Sequence, residues 1–101
     1  MSTDNDKREH PRKEFFAETI LEFSSGKYQA RISDISLGGC YIDSIASVVE
    51  GEAISITLVV GSDEPVRFAG VVAYVLPRFG FGMRFTDLTE EKTSFLQKIL
   101  G

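Results

Sequence analysis

Residues 15–35 read FFAETILEFSSGKYQARISDI, and this stretch decides the fold. From Phe15 to Phe23 the chain alternates with the period of a strand, so that alternate side chains lie on opposite faces. A short turn, Ser24–Lys27, follows, and a second alternating run extends over residues 28–35. Two such runs joined by a turn that contains glycine predict an antiparallel β-hairpin.

Residues 36–85 also consist of short β-rich runs separated by turn residues. These predicted strands are Cys40–Ile42, Ile54–Val60, Val66–Leu76 and Phe81–Phe85. A glycine in the middle of the long run, Gly70, predicts a bulge or a sharp bend. About six short antiparallel strands favour a closed barrel, because closure removes the exposed edges.

The C-terminal segment changes period and predicts a helix that packs on the barrel. One stripe at helical spacing collects Leu88, Phe95, Leu96, Ile99 and Leu100. Asp87 is placed to cap the start of this helix, and two acidic residues follow in its first turn.

Length and composition indicate one globular domain. The chain has 101 residues, 43% of them hydrophobic and 26% charged, which is typical of a folded protein with one modest core. Its apolar runs are too short to cross a membrane, and the polar residues 1–6 do not resemble a secretory signal. A single cysteine, Cys40, excludes an internal disulfide and a multi-cysteine zinc site. We therefore expect a cytoplasmic protein.

Residues 1–12 show neither helical nor strand periodicity, and Pro11 favours an extended backbone at His10. We interpret residues 1–12 as a flexible N-terminal arm and residues 13–101 as the barrel domain. The net charge of −4 argues against binding to DNA or RNA polymers. Residues 7–13 nevertheless hold four cations and one acid, so the arm is a candidate for binding a small anion.

Arg8 and Arg12 form an R-x-x-x-R pair in this arm. On an extended backbone their Cα atoms stand up to about 13 Å apart, so the pair can grip a ligand from two sides. The planar guanidinium donates bidentate hydrogen bonds to phosphate or to the O6/N7 edge of guanine. The alternative is a basic arm that is simply solvated.

Asp34–Gly39 fits the pattern D-x-S-x-x-G at the end of a predicted strand. Asp34 and Ser36 are two residues apart, so both side chains are expected on one face, in continuation of Ala30 and Ile32. Gly38 and Gly39 permit positive φ and a close approach of the backbone to a ligand. The alternative is an Asx turn that only closes a hairpin.

With both motifs in this order and separation, the chain resembles the PilZ domain family. The segment Gly82–Phe85 followed by a helix is similar to the closing strand and cap of that family. The resemblance implies a six-stranded antiparallel PilZ-like β-barrel with a C-terminal helix, and cyclic di-GMP as the ligand. It makes Arg8 and Arg12 the clamps, Asp34 and Ser36 the guanine and phosphate contacts, and Gly39 the backbone turn.

Four further residues are candidates for ligand contact, and for each the alternative is an ordinary solvated or packing role. Lys7 is placed for a phosphate contact, Tyr74 for stacking, and Arg78 and Arg84 for lining the mouth of the barrel.

Nothing in the sequence supports an enzyme, a metal site or a cofactor. His10 has no serine or cysteine at a legible spacing, and Cys40 is expected to be a small buried hydrophobe. The favoured function is a sensor or adaptor that binds cyclic di-GMP and regulates a partner protein. One alternative is a constitutive protein-interaction module with an idle ligand site, and another is a small barrel that binds nucleic acid.

Overall fold

The computed structural model describes residues 12–61 and 64–101, and within them it contains six strands and one helix. The strands are β1 (Lys13–Phe23), β2 (Gly26–Ile35), β3 (Gly39–Asp43), β4 (Ala53–Leu58), β5 (Val66–Leu76) and β6 (Gly80–Phe85), and the helix is α1 (Glu90–Leu100).

The strands form a closed antiparallel barrel in the order β1-β2-β3-β6-β5-β4, which confirms the predicted fold class. β1 closes it by pairing with β2 along most of its length and with β4 near its end, where Leu21 faces both Tyr28 and Ile56. The hairpin predicted from residues 15–35 is therefore the first element of the barrel.

The interior is filled mainly by alternate residues of the strands, as the period of two requires, except where a bulge breaks the alternation. The side chains with no more than 1% exposure include Leu21, Ile32, Ile42, Ile56, Leu58, Phe68, Val72 and Phe81. Helix α1 packs on this core through the fully buried Leu96 and through Phe95, whose ring lies 6.0 Å from that of Phe68. The predicted packing of the helix on the barrel is thus confirmed.

Two local predictions were wrong. The bulge predicted at Gly70 is absent there, since Gly70 lies in regular pairing opposite Phe85, and the irregularity in β5 falls between Val72 and Tyr74. The helix is capped by Thr89, whose Oγ1 accepts a hydrogen bond from the backbone N–H of Lys92. Asp87 lies outside the helix and pairs with the Lys92 side chain at 2.5 Å.

Thr89→Ala is expected to lower the free energy of unfolding by about 1 kcal/mol, because the backbone N–H of Lys92 loses its acceptor. Urea unfolding of the variant measures this loss. Ser94→Ala, in the exposed middle of α1, is the matched control and should leave stability nearly unchanged. An equal effect of the two substitutions would contradict the capping role of Thr89.

Among the described residues, no helix combines the length and the hydropathy that a bilayer crossing requires.

Candidate functional site

Asp34 faces the outside of the barrel because β2 contains a bulge. The pairing of β2 with β3 shifts between Ile32 and Asp34, so that Ile32 and Ile35 both point into the core. The predicted common face of Asp34 with Ala30 and Ile32 was therefore wrong. A bulge inserts one residue and re-aims the side chains that follow it, and here it turns the Asp34 side chain to the outer surface of the barrel.

Asp34 belongs to a row of cross-strand neighbours on the outer surface of the barrel. It pairs with Tyr41 on β3, Tyr41 pairs with Gly82 on β6, and Gly82 pairs with Tyr74 on β5. The rings of Tyr41 and Tyr74 are stacked, with centroids 6.3 Å apart. The sequence predicted that Tyr74 stacks on a ligand, and it did not predict stacking on Tyr41. Tyr41 and Gly82 were not identified as site residues from the sequence.

Arg12 lies at the edge of this row. Its Nη1 donates a hydrogen bond of 3.1 Å to the Tyr74 hydroxyl, and the guanidinium carbon is 5.9 Å from the centroid of the same ring. Nη1 also lies 3.5 Å from Asp34 Oδ1. Partial burial opposes the charge, but the Tyr74 hydrogen bond and the Asp34 carboxylate raise the pKa of Arg12 above its ordinary value. The structure thus brings together Arg12 and Asp34, which were predicted as site residues from two separate motifs.

The backbone next to Arg12 is anchored to the helix. Lys13 Nζ donates to the carbonyl oxygens of Ile99 and Leu100, at 3.2 and 3.4 Å. These carbonyls belong to the last turn of α1, where a cation is favourable. The start of β1, and with it Arg12, is therefore attached to the end of α1.

The Asp34 carboxylate carries an unused acceptor. Its Oδ1 is buried and accepts no hydrogen bond from the described residues. The 3.5 Å contact with Arg12 is an ion pair without hydrogen-bond geometry. Buried polar atoms are nearly always hydrogen-bonded in folded proteins, so this oxygen fits a donor supplied by a ligand or by water.

Ser36 and Gly39 shape the loop between β2 and β3. The Ser36 hydroxyl accepts hydrogen bonds from the N–H groups of Gly38 and Gly39, at 3.1 and 3.2 Å. Neither glycine has positive φ, so the positive φ that the sequence led us to expect at Gly38 and Gly39 is not adopted. Gly39 is required instead by a close approach, because a Cβ there would lie 2.0 Å from the carbonyl oxygen of Met83.

The remaining candidates are distributed as follows. Arg8 and Lys7 lie outside the described residues. Arg84 is exposed and pairs with Gly39 across the sheet, next to the loop. Arg78 lies in the turn between β5 and β6 with a φ of 72°, beyond the outer row of Tyr74.

Cys40 is buried in the core, as expected. It pairs with Ile35 across β2 and β3, next to the pair formed by Asp34 and Tyr41. Burial, and then the charge of Asp34, raise the pKa of the Cys40 thiol, so it stays protonated and unreactive. In the described part of the chain, no three His, Cys, Asp or Glu side chains lie close enough together to hold a metal ion.

Comparison with known proteins agrees with this fold. The family model described as the PilZ domain matches residues 6–101. The crystal structure of the PilZ domain of CeSA from a cellulose synthesizing bacterium is similar with a TM-score of 0.68 at 13% sequence identity, covering 88% of this chain and 93% of that chain. No curated protein is a significant match in sequence. The family model spans the whole barrel and its helix, and the chain therefore belongs to the PilZ domain family, a family of cyclic di-GMP receptor domains.

Proposed function

We propose that this chain is a sensor that binds cyclic di-GMP at a site made by Arg8, Arg12, Asp34 and the Ser36–Gly39 loop. PilZ domains are typically non-catalytic binding domains, and the proposal assigns no catalysis to the chain. The ligand has two phosphates and two guanines, which a pair of arginines and a carboxylate acceptor complement.

The contact between Arg12 and Asp34 is the observation that carries the proposal. Both polar contacts that Arg12 makes with the described residues use Nη1. The donors of Nε and Nη2 therefore remain for a phosphate or for the O6/N7 edge of guanine. Asp34 Oδ1 has an acceptor site to fill, and guanine offers the adjacent donors N1–H and N2–H.

Ser36 and Gly39 support the site through the loop. The Ser36 hydroxyl holds the loop closed by its hydrogen bonds to the two glycine N–H groups. The Ser36 N–H donates in turn to the Gly39 carbonyl at 2.8 Å. This loop fixes the backbone directly after Asp34, so we assign Ser36 both the phosphate contact implied by the family and a structural role.

Ligand binding is proposed to change the surface that the domain presents to a partner protein. Cyclic di-GMP bridges the arm, through Arg8 and Arg12, to the outer face of the barrel at Asp34. The ordered arm then presents a surface that a partner protein recognises. Because Lys13 joins the start of β1 to the end of α1, the end of α1 lies close to the surface that would change.

Calorimetric titration with cyclic di-GMP in the presence of a metal chelator tests the proposal. We expect saturable binding at one site on the protein, accompanied by chemical-shift changes at Asp34 and in the Ser36–Gly39 loop. The absence of both heat and shift changes at high micromolar ligand would contradict the sensor function and favour a constitutive protein-interaction module.

A further inference from the structure

The outer face of β6 forms a trough between its two neighbouring strands. Phe81, Met83 and Phe85 point into the core, whereas the residues that alternate with them, Gly80, Gly82 and Arg84, face outwards. An outward residue of a barrel is normally exposed, but Gly82 is buried. Something therefore covers its backbone.

The cover is the ring of Tyr74. A Cβ placed on Gly82 would lie 2.2 Å from Tyr74 Cε2 and 2.5 Å from its Cζ, so the ring rests directly on the glycine. The bulge in β5 produces this arrangement, since it brings Tyr74 rather than Ala73 opposite Gly82. Any side chain at position 82 would occupy the volume of the ring.

Tyr41 bounds the same ring on the β3 side. The two rings are inclined by only 28°, an offset stacking that contributes about 0.5–1.5 kcal/mol beyond its buried area. The Tyr41 hydroxyl lies over the second glycine of the trough, 2.9 Å from where a Cβ of Gly80 would be. Because Gly82 has no side chain, the Tyr74 ring lies directly against the backbone of β6. Tyr41 limits the movement of that ring across the sheet towards β3.

We propose that Gly82 and Tyr41 are positioning residues that hold Tyr74 flat on the barrel, so that Tyr74 fixes the Arg12 guanidinium beside Asp34 for ligand binding. Tyr74 accepts the Nη1 hydrogen bond and also presents its ring to the guanidinium. The inference rests on the proposed function for its ligand, but the positioning of Arg12 exists in the ligand-free protein and is measurable there.

Gly82→Ala is the first test. The contact that it creates is with a side chain that can rotate, so the protein is expected to fold while the Tyr74 ring leaves its position. In the ligand-free protein, the Nε–H resonance of Arg12 should shift in the same direction as in Tyr74→Phe, which removes the hydroxyl acceptor. Affinity for cyclic di-GMP should fall by about five- to tenfold, the equivalent of one hydrogen bond and a partly exposed cation–π contact.

A double-mutant cycle separates positioning from general damage. If Gly82 acts through Tyr74, Gly82→Ala will cause no further loss of affinity in a Tyr74→Ala background. Gly61→Ala, in the turn between β4 and β5, is the control for a general loss of stability: nothing lies within 4 Å of its Cβ position, but its φ of 60° strains the backbone with any side chain. It should change neither the Arg12 resonance nor the affinity.

The outcomes distinguish the two proposals. Additive losses in the cycle, or an Arg12 resonance that is unchanged in both Gly82→Ala and Tyr74→Phe, would overturn the positioning inference. If the wild-type protein fails to bind cyclic di-GMP, the proposed function is contradicted, and the Arg12 resonance still decides the positioning. If Gly82→Ala does not fold, Tyr74→Phe alone decides whether Tyr74 fixes Arg12.

Discussion

Arg12→Ala is expected to abolish tight binding of cyclic di-GMP, with a loss of affinity of about 100-fold or more. Within the described residues, Arg12 makes its polar contacts through Nη1 alone, which leaves Nε and Nη2 for the proposed ligand, and each hydrogen bond from a charged donor contributes about 1.5–3 kcal/mol. The substitution also removes the cation that faces Asp34 at 3.5 Å. Arg8→Ala is expected to have a similar effect from the sequence pattern, although Arg8 lies outside the described residues.

Stability should barely respond to Arg12→Ala. The residue precedes β1 and lies outside the core. Its ion pair with Asp34 is 28% exposed on both side chains, and pairs of this kind contribute about 0–1 kcal/mol. Calorimetric titration and thermal unfolding of the same sample measure the two effects together.

Arg67→Ala is the matched control for the loss of an arginine. Arg67 also makes an ion pair across the barrel surface, with Glu22 at 3.8 Å, but it is remote from Asp34 in the pairing of the strands. Binding by this variant should equal that of the wild type. A large drop in melting temperature with Arg12→Ala, or wild-type affinity, would mean that Arg12 serves the fold rather than the ligand.

The barrel was predictable from the sequence because local alternation and turn chemistry agree along the whole chain. The long strand β5 was predicted with its observed bounds, Val66–Leu76. The bulges in β2 and β5 were not predicted correctly, because a bulge is decided by the partner strand and by the closure of the barrel. The error at Asp34 has this origin: the period of two is a local rule, and the shift after Ile32 breaks it.

The site was predictable only in part for the same reason. Arg12 and Asp34 were found through their motifs, which are short stretches of sequence. Tyr74 contacts Arg12 across 62 positions of the chain, a distance at which no spacing rule applies. One signal did exist: in β6 glycines alternate with Phe81 and Met83, which indicates that the outer face of this strand is covered by a neighbour's side chain.

The last prediction concerns the choice of base. An ionised Asp34 only accepts hydrogen bonds, and its buried Oδ1 has no donor among the described residues. Guanine presents N1–H and N2–H side by side, whereas adenine has an acceptor at N1. A site that offers a buried acceptor discriminates strongly against a ligand that lacks the donor, so cyclic di-AMP should bind at least about tenfold more weakly than cyclic di-GMP.

Substitution of Asp34 tests which group makes this choice. Asp34→Ala should weaken cyclic di-GMP by about 1–3 kcal/mol, because the guanine donors lose their partner, and the affinities for the two dinucleotides should converge. Asp34→Asn keeps one acceptor oxygen and should lose less. Asp43→Ala is the control, since Asp43 makes a similar ion pair with Arg31 at 3.6 Å, and it should preserve the preference for guanine. Competition titrations of the three variants decide the matter: equal wild-type affinity for both dinucleotides, or unchanged binding by Asp34→Ala, would exclude Asp34 from base recognition.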